Sequence, residues 1–172
     1  MINTALKLGS IEIPQQMIFW TKSNICAIIP CVQLVPGHVL IIPKRNVSYF
    51  NDLELQEVFD IGLLTRFLTK GLEKFYTATS STVYIHNYNP NDSESLQQVY
   101  VHIIPRKPAD FQNNDDIYKK LEEYDAEFTK KFKWGFTQAN SSLNGVLEIE
   151  ANECKKYATF LETFQREEAE KS

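Results

Sequence analysis

The stretch Gln98-Val99-Tyr100-Val101-His102-Ile103-Ile104-Pro105-Arg106-Lys107 limits what this chain can fold into more than any other. Val99, Val101 and Ile103 are β-branched and alternate with Gln98, Tyr100 and His102, which is the period of a strand. Side chains on a strand point to alternate faces, so Gln98, Tyr100 and His102 are expected in one row. Pro105 has no N–H to give a ladder and is expected to end the strand or mark an edge. A row of three polar-capable groups over an apolar face suits a site. It suits a half-exposed edge strand equally, and the pattern alone leaves both open.

Composition narrows the class. With 172 residues, 43% hydrophobic and 23% charged, the chain can bury the core of one domain. A net charge of −4 argues against a nucleic-acid partner, which calls for a basic surface. Cys26, Cys31 and Cys154 form no even framework and no paired metal motif, so they read as free thiols in a reducing, intracellular compartment. The cytoplasm is the first choice and the mitochondrion the second. No apolar run is long enough for membrane insertion, and Met1 to Gln16 lacks the apolar core of a secretory signal. No metal or other cofactor is expected.

Further elements follow from periodicity. Residues 10–20 read as one or two short strands with a turn near Pro14. Ile25 to Ile29 and Val39 to Ile42 read as strands, the first bounded by Asn24 and Pro30, the second by the Pro36-Gly37 turn and Pro43. A helix is expected from Asn51, with Asn51 as cap and Glu54 at the third position, to about Thr77. It carries two apolar stripes: Leu55, Val58, Phe59, Gly62, Leu63 and Phe67, and Ile61, Leu64, Leu68, Leu72 and Phe75. One sheet covers one stripe, so the other needs a partner chain or the chain's own C-terminal region. Ser81 to Asn87 reads as a strand. Asp115 to Phe128 has helical spacing at Ile117, Leu121, Tyr124 and Phe128, and Glu150 to Glu170 at Cys154, Tyr157, Ala158, Leu161 and Phe164.

The central row and its flanks resemble the histidine triad (HIT) family, whose signature is three histidines at alternate positions on a strand. His102 stands in the third place, Tyr100 in the second and Gln98 in the first. Ile103-Ile104-Pro105-Arg106-Lys107, Asp110-Phe111, Asn114-Asp115 and Ile117-Tyr118 resemble the fragile histidine triad branch, as does Val35-Pro36-Gly37-His38-Val39-Leu40-Ile41-Ile42-Pro43. The resemblance runs from about residue 10 to about residue 128. It implies an α+β fold: a mainly antiparallel sheet packed by a long helix, with a C-terminal helical extension. The expected division is a HIT-like domain over 1–135 and an extension over 136–172. It also implies a homodimer and a purine nucleotide as ligand, with His38 near the triad.

For activity the same resemblance points the other way. Family members work through a nucleotidyl intermediate on the central histidine, a neutral nitrogen nucleophile near pH 7. Tyrosine is protonated there, with a pKa near about 10. It would need a base, for which His102 is the candidate. The loop from Tyr88 to Leu96 contains no glycine, where the family's loop is glycine-rich. Asp92 and Glu94 would set carboxylates where a polyphosphate should sit. Arg106 and Lys107 read as solvated surface.

The resulting candidate pocket is Gln98, Tyr100, His102, His38 and Glu94, with no residue assigned a catalytic role. The first expectation is a catalytically silent protein serving as a structural or interaction subunit, in a homodimer or a larger assembly. The alternatives are a module that binds purine nucleotide without cleaving it, and a working dinucleoside polyphosphate hydrolase.

Overall fold

The structure, a computed structural model, describes residues 6–8, 11–22, 24–30, 32–92, 95–130, 152–167 and 169–170. Short strands β1 (Leu6–Leu8) and β2 (Ile11–Ile13) pair as a hairpin. The main sheet holds β3 (Ile18–Thr21), β4 (Ile25–Ile28), β5 (Val39–Pro43), β6 (Ser80–His86) and β7 (Tyr100–Arg106). Their order is β3-β4-β5-β7-β6, and every pair is antiparallel. Helix α1 (Leu55–Tyr76) joins β5 to β6, and α2 (Asp116–Ala126) follows β7. Residues 152–167 are helical. The α+β architecture expected from sequence is what the chain adopts.

The near-continuous apolar runs of β4 and β5 follow from burial on both faces. Ile25 and Ala27, Val39 and Ile41, and Val101 and Ile103 point to one side, into a core shared with Ile61, Leu64, Leu68 and Leu72 of α1. Cys26 and Ile28, Leu40 and Ile42, and Tyr100 point to the other side. There they meet Leu8, Ile11 and Ile13 of the hairpin, Leu96, and Tyr124 and Phe128 at the end of α2. All seven residues of β7 are buried. The half-exposed edge strand is therefore overturned: β7 lies inside the sheet, between β5 and β6. Nor does Pro105 end it. The ladder with β6 runs on to Arg106, whereas the ladder with β5 stops at Ile103, so the missing N–H deprives no β5 partner.

Helix α1 begins four residues after Asn51, which sits instead in a short 3-10 turn over Phe50–Asp52. The Glu57 carboxylate accepts the Glu54 N–H at 2.8 Å and also holds Arg45 at 2.6 Å. The stripe Ile61, Leu64, Leu68 and Leu72 faces the sheet as expected. Phe75 leaves that stripe and packs edge-on against Tyr157 and Phe160. The helix at 152–167 lies on its own domain, burying Cys154, Tyr157, Leu161 and Phe164. Gly71 permits this approach, since a Cβ there would stand 2.9 Å from Leu161 Cδ2. The Tyr76 and Tyr157 hydroxyls meet, and both reach Glu153 Oε1, at 3.1 and 2.9 Å. The first α1 stripe is open at three positions, Leu55, Phe59 and Leu63, which are 89%, 59% and 47% exposed, while Phe67 packs against the Phe164 ring.

Gly37 fixes the entry to β5. Its φ is +91°, and a Cβ would stand 2.6 Å from the Tyr76 ring and 3.0 Å from Pro105. A side chain here meets strain in both backbone and packing. Gly37→Ala is expected to destabilise the fold by about 1–3 kcal/mol, read as a lowered urea midpoint with an unchanged slope.

Candidate functional site

The row on β7 meets three elements. β5 begins next to His38, β6 ends at His86, and α2 brings Tyr124 and Asp125 over the sheet. Tyr84 and His86 are cross-strand partners of His102 and Tyr100. Tyr100, His102 and His86 converge on Asp125. Its Oδ1 accepts the Tyr100 hydroxyl at 2.6 Å and His102 Nε2–H at 2.9 Å. His86 Nδ1 lies 3.1 Å from Oδ2, a close contact without the alignment of a full hydrogen bond. On the far side of His102, Nδ1 is 2.9 Å from His38 Nε2, and His38 Nδ1 accepts the Leu34 N–H at 3.2 Å.

The directions of these bonds fix the tautomers. His38 must keep Nδ1 bare to accept from Leu34, so its proton sits on Nε2 and is donated to His102 Nδ1. His102 then carries its own proton on Nε2 and gives it to Asp125. Both imidazoles are neutral in this arrangement. Burial, and then the neighbouring His102, hold the His38 pKa well below its ordinary 6.5. Burial alone would raise the Asp125 pKa, but the bond from His102 and the close His86 imidazole hold it below the usual carboxylate range. Burial and the Asp125 charge push the Tyr100 phenol well above 10.

The structure brings Tyr100, His102 and His38 together as the sequence suggests. The base paired with Tyr100 is a correction: its hydroxyl bonds to Asp125, not to His102. Gln98 stands before the strand and is turned away to the loop after β5, where its Nε2 donates to Pro43 O at 2.7 Å and Arg45 O at 3.3 Å. Glu94 lies outside the described residues. Asp92 is held in its own turn, with the Asn89 amide 2.7 Å from Oδ2. Arg106 is the second correction. It is buried, not solvated: it pairs with both oxygens of Asp110 at 2.6 and 2.9 Å, bonds Asn114 and Thr82, and lies over the Phe111 ring. Asp110, Phe111 and Asn114, three of the residues after β7 that carry the resemblance, therefore clamp Arg106.

Two residues were missed by sequence reasoning, Asp125 and His86. Asp125 had a signal: it is four residues after Leu121, so it falls on the apolar stripe of a helix, where a charge needs partners. His86 alternates with Tyr84 on a strand, which alone did not distinguish it from a surface histidine. Among the described residues, no group of His, Cys, Asp and Glu is arranged to hold a metal. Gln98, Tyr100, His102 and His38 are fully buried, and Tyr100 is part of the second core.

Removing the acceptor leaves two buried donors, Tyr100 and His102, without their partner at once. Asp125→Ala is expected to cost about 3 kcal/mol or more, measured by chemical unfolding, and Tyr100→Phe about 1–2 kcal/mol. In wild type, the lowered Asp125 pKa gives stability that is present above its unfolded value, about 3.9, and is lost as pH falls through the folded value. That acid limb should be missing in Asp125→Ala.

Comparison with known proteins places these observations. A model of the HIT domain matches residues 11–109. The chain is 30% identical over 154 residues to the bifunctional bis(5'-adenosyl)-triphosphatase/adenylylsulfatase FHIT of Arabidopsis thaliana, covering 90% of this chain and 83% of that one. It is 34% identical over 120 residues to the bis(5'-adenosyl)-triphosphatase of Dictyostelium discoideum, covering 70% and 80%. The crystal structure of the C. elegans NitFhit protein superposes with a TM-score of 0.58 at 27% identity. It covers 70% of this chain and only 29% of that longer one. The chain thus belongs to the HIT-domain family, in its fragile histidine triad branch.

Proposed function

We propose that this chain is a HIT-fold protein in which transfer of a nucleotidyl group to residue 100 has been lost, leaving a structural or interaction subunit. One observation carries the reading: the Tyr100 hydroxyl is fully buried and donates to an ionised Asp125. A nucleophile must reach an α-phosphate through an open approach and must be free of its proton. Tyr100 fails both conditions. The carboxylate that could take its proton is itself held well below the ordinary range and is a poor base at pH 7. The face that would hold the purine is filled by Leu8, Ile13, Leu96, Tyr124 and Phe128.

The relatives support the second reading more directly. The two quoted above are named triphosphatases, and a shared branch at about 30% identity favours a nucleotide or dinucleoside polyphosphate as ligand or substrate. That reading requires α2 and Phe128 to lift from the sheet. Turnover of diadenosine triphosphate separates the two. We expect no hydrolysis above background and no adenosine-nucleotide-dependent rise in Tm. Turnover that vanishes in Tyr100→Phe would overturn the silent reading. A Tm rise without turnover would make the chain a nucleotide-binding module.

For assembly, the open α1 stripe supports a homodimer or a place in a larger complex. Leu55, Phe59 and Leu63 stand at successive turns of one helix. Val83 and Ile85, 45% and 41% exposed, lie on β6, which among the described residues is an edge of the sheet. Light scattering at micromolar concentration is expected to give at least twice the mass of one chain, and Phe59→Asp to shift it to a monomer. A wild-type monomer would sink the assembly reading.

A further inference from the structure

The hydrogen-bond chain from Asp125 to Leu34 has a property that neither reading of function requires. It has one direction. Leu34 N–H donates to His38, His38 to His102, and His102 to Asp125, so every ring nitrogen in the line is already assigned. The two nitrogens without a proton are His38 Nδ1 and His102 Nδ1, and each faces a hydrogen. A proton that binds His102 Nδ1 forces His38 to accept there and to move its own proton to Nδ1. That proton then points at the Leu34 N–H across 3.2 Å, donor against donor. A proton that binds His38 Nδ1 directly produces the same clash. Either route breaks the chain at its Leu34 end, because the Asp125 end gains from positive charge and tightens.

Other titratable groups surround the pair among the described residues. On β6, Tyr84 lies over His102, and His86 stacks on Tyr100. On β7, Tyr100 spends its proton on Asp125. On α2, Tyr124 packs edge-on against both His38 and His102. His86 differs from the other two. Among the described residues its Nε2 faces the Ser95 hydroxyl, at 3.4 Å, and that hydroxyl can rotate to accept. A proton on His86 therefore breaks nothing.

The turn at the Leu34 end packs on one side against Ile104 and its neighbours and borders open space on the other. Leu34 and Val35 are half-buried and Pro36 is exposed, and all three line an open cleft of about 340 Å³ with Tyr76, Pro105, Lys107 and Asp110. The turn is otherwise closed by His38 N–H to Val35 O at 3.1 Å and Gly37 N–H to Gln33 Oε1 at 3.1 Å.

We propose that the His38–His102 pair is a proton-operated latch: one proton entering the pair releases the Leu34–His38 turn and remodels the cleft beside it, while the sheet and α2 stay in place. The sign follows from linkage. The buried pair resists the proton, so the latched state is favoured above the ordinary imidazole value of 6.5. It loses ground as pH falls below that value, because burial holds the His38 pKa lower still.

The test is amide hydrogen exchange by NMR on the full chain between pH 7.5 and 4.5, expressed as protection factors to remove the intrinsic pH dependence of exchange. The Leu34 amide is expected to lose up to about tenfold protection per pH unit below about 6.5, with amides of β4 and β5 unchanged. His38→Asn keeps an acceptor for Leu34 but has no titrating ring, and should hold Leu34 protection constant over that range. Imidazole ¹⁵N shifts on wild type give a second readout. They should report Nε2–H tautomers for His38 and His102 at pH 7.5, and a transition that coincides with the loss at Leu34. Leu34 protection that stays flat until the whole protein unfolds would overturn the proposal. So would a titration confined to His86.

Discussion

A single carboxylate gathers the centre of this protein. Asp125 is charged, almost fully buried, and tolerable only because Tyr100, His102 and His86 surround it with donors. An isolated carboxylate in such a place would neutralise or unfold its surroundings. With its partners present it ties α2 to β7 and β6, and through His38 it fixes the entry to β5. Three elements distant in sequence thereby share one acceptor. The interaction is also directional, so the ring tautomers, and with them the response to a proton, are set by the fold.

The same arrangement explains how the central row packs as core. In a strand buried on both faces, a tyrosine at the central position adds a large ring to the apolar packing. It also keeps one hydroxyl for a polar partner. Tyr100 does both: its ring packs with Phe128 and His86, and its hydroxyl takes half of Asp125. The second core reaches from the β1–β2 hairpin across the sheet to the end of α2 without a gap at the row. The resemblance and the relatives point to nucleotide chemistry, whereas the local packing points away from it, and Tyr100 is where the two diverge.

Much of the architecture was legible in the chain. The strands at 25–28, 39–43 and 80–86, the long helix and α2 fall close to where period and punctuation place them. These are signals carried by residues near in sequence. The failures have physical causes as well. Alternation of Gln98, Tyr100 and His102 reads as one polar face. Yet Tyr100 counts as apolar by volume and His102 is neutral, so the row packs as core. Asn51 has the chemistry of a cap, but Glu57 is held by Arg45, and that pair sets the start of α1 four residues later. Arg106 looks solvated until Asp110, Asn114 and Phe111 fold back over it.

What the sequence determined by itself is the menu of elements, the side of each that is apolar, and the family they belong to, because each depends on local periodicity or a contiguous motif. Which of the two α1 stripes would find its cover was left to tertiary structure. The sheet and the C-terminal helix took one side of the helix and left Leu55, Phe59 and Leu63 outside. Tertiary structure alone also decided the fate of the polar row. Residues 23 and 25 positions apart had to meet before Asp125 could pair with His102 and Tyr100, and 64 positions separate His38 from His102. No local pattern encodes such a meeting, since the energy of a buried charge depends on which donors the whole fold delivers to it.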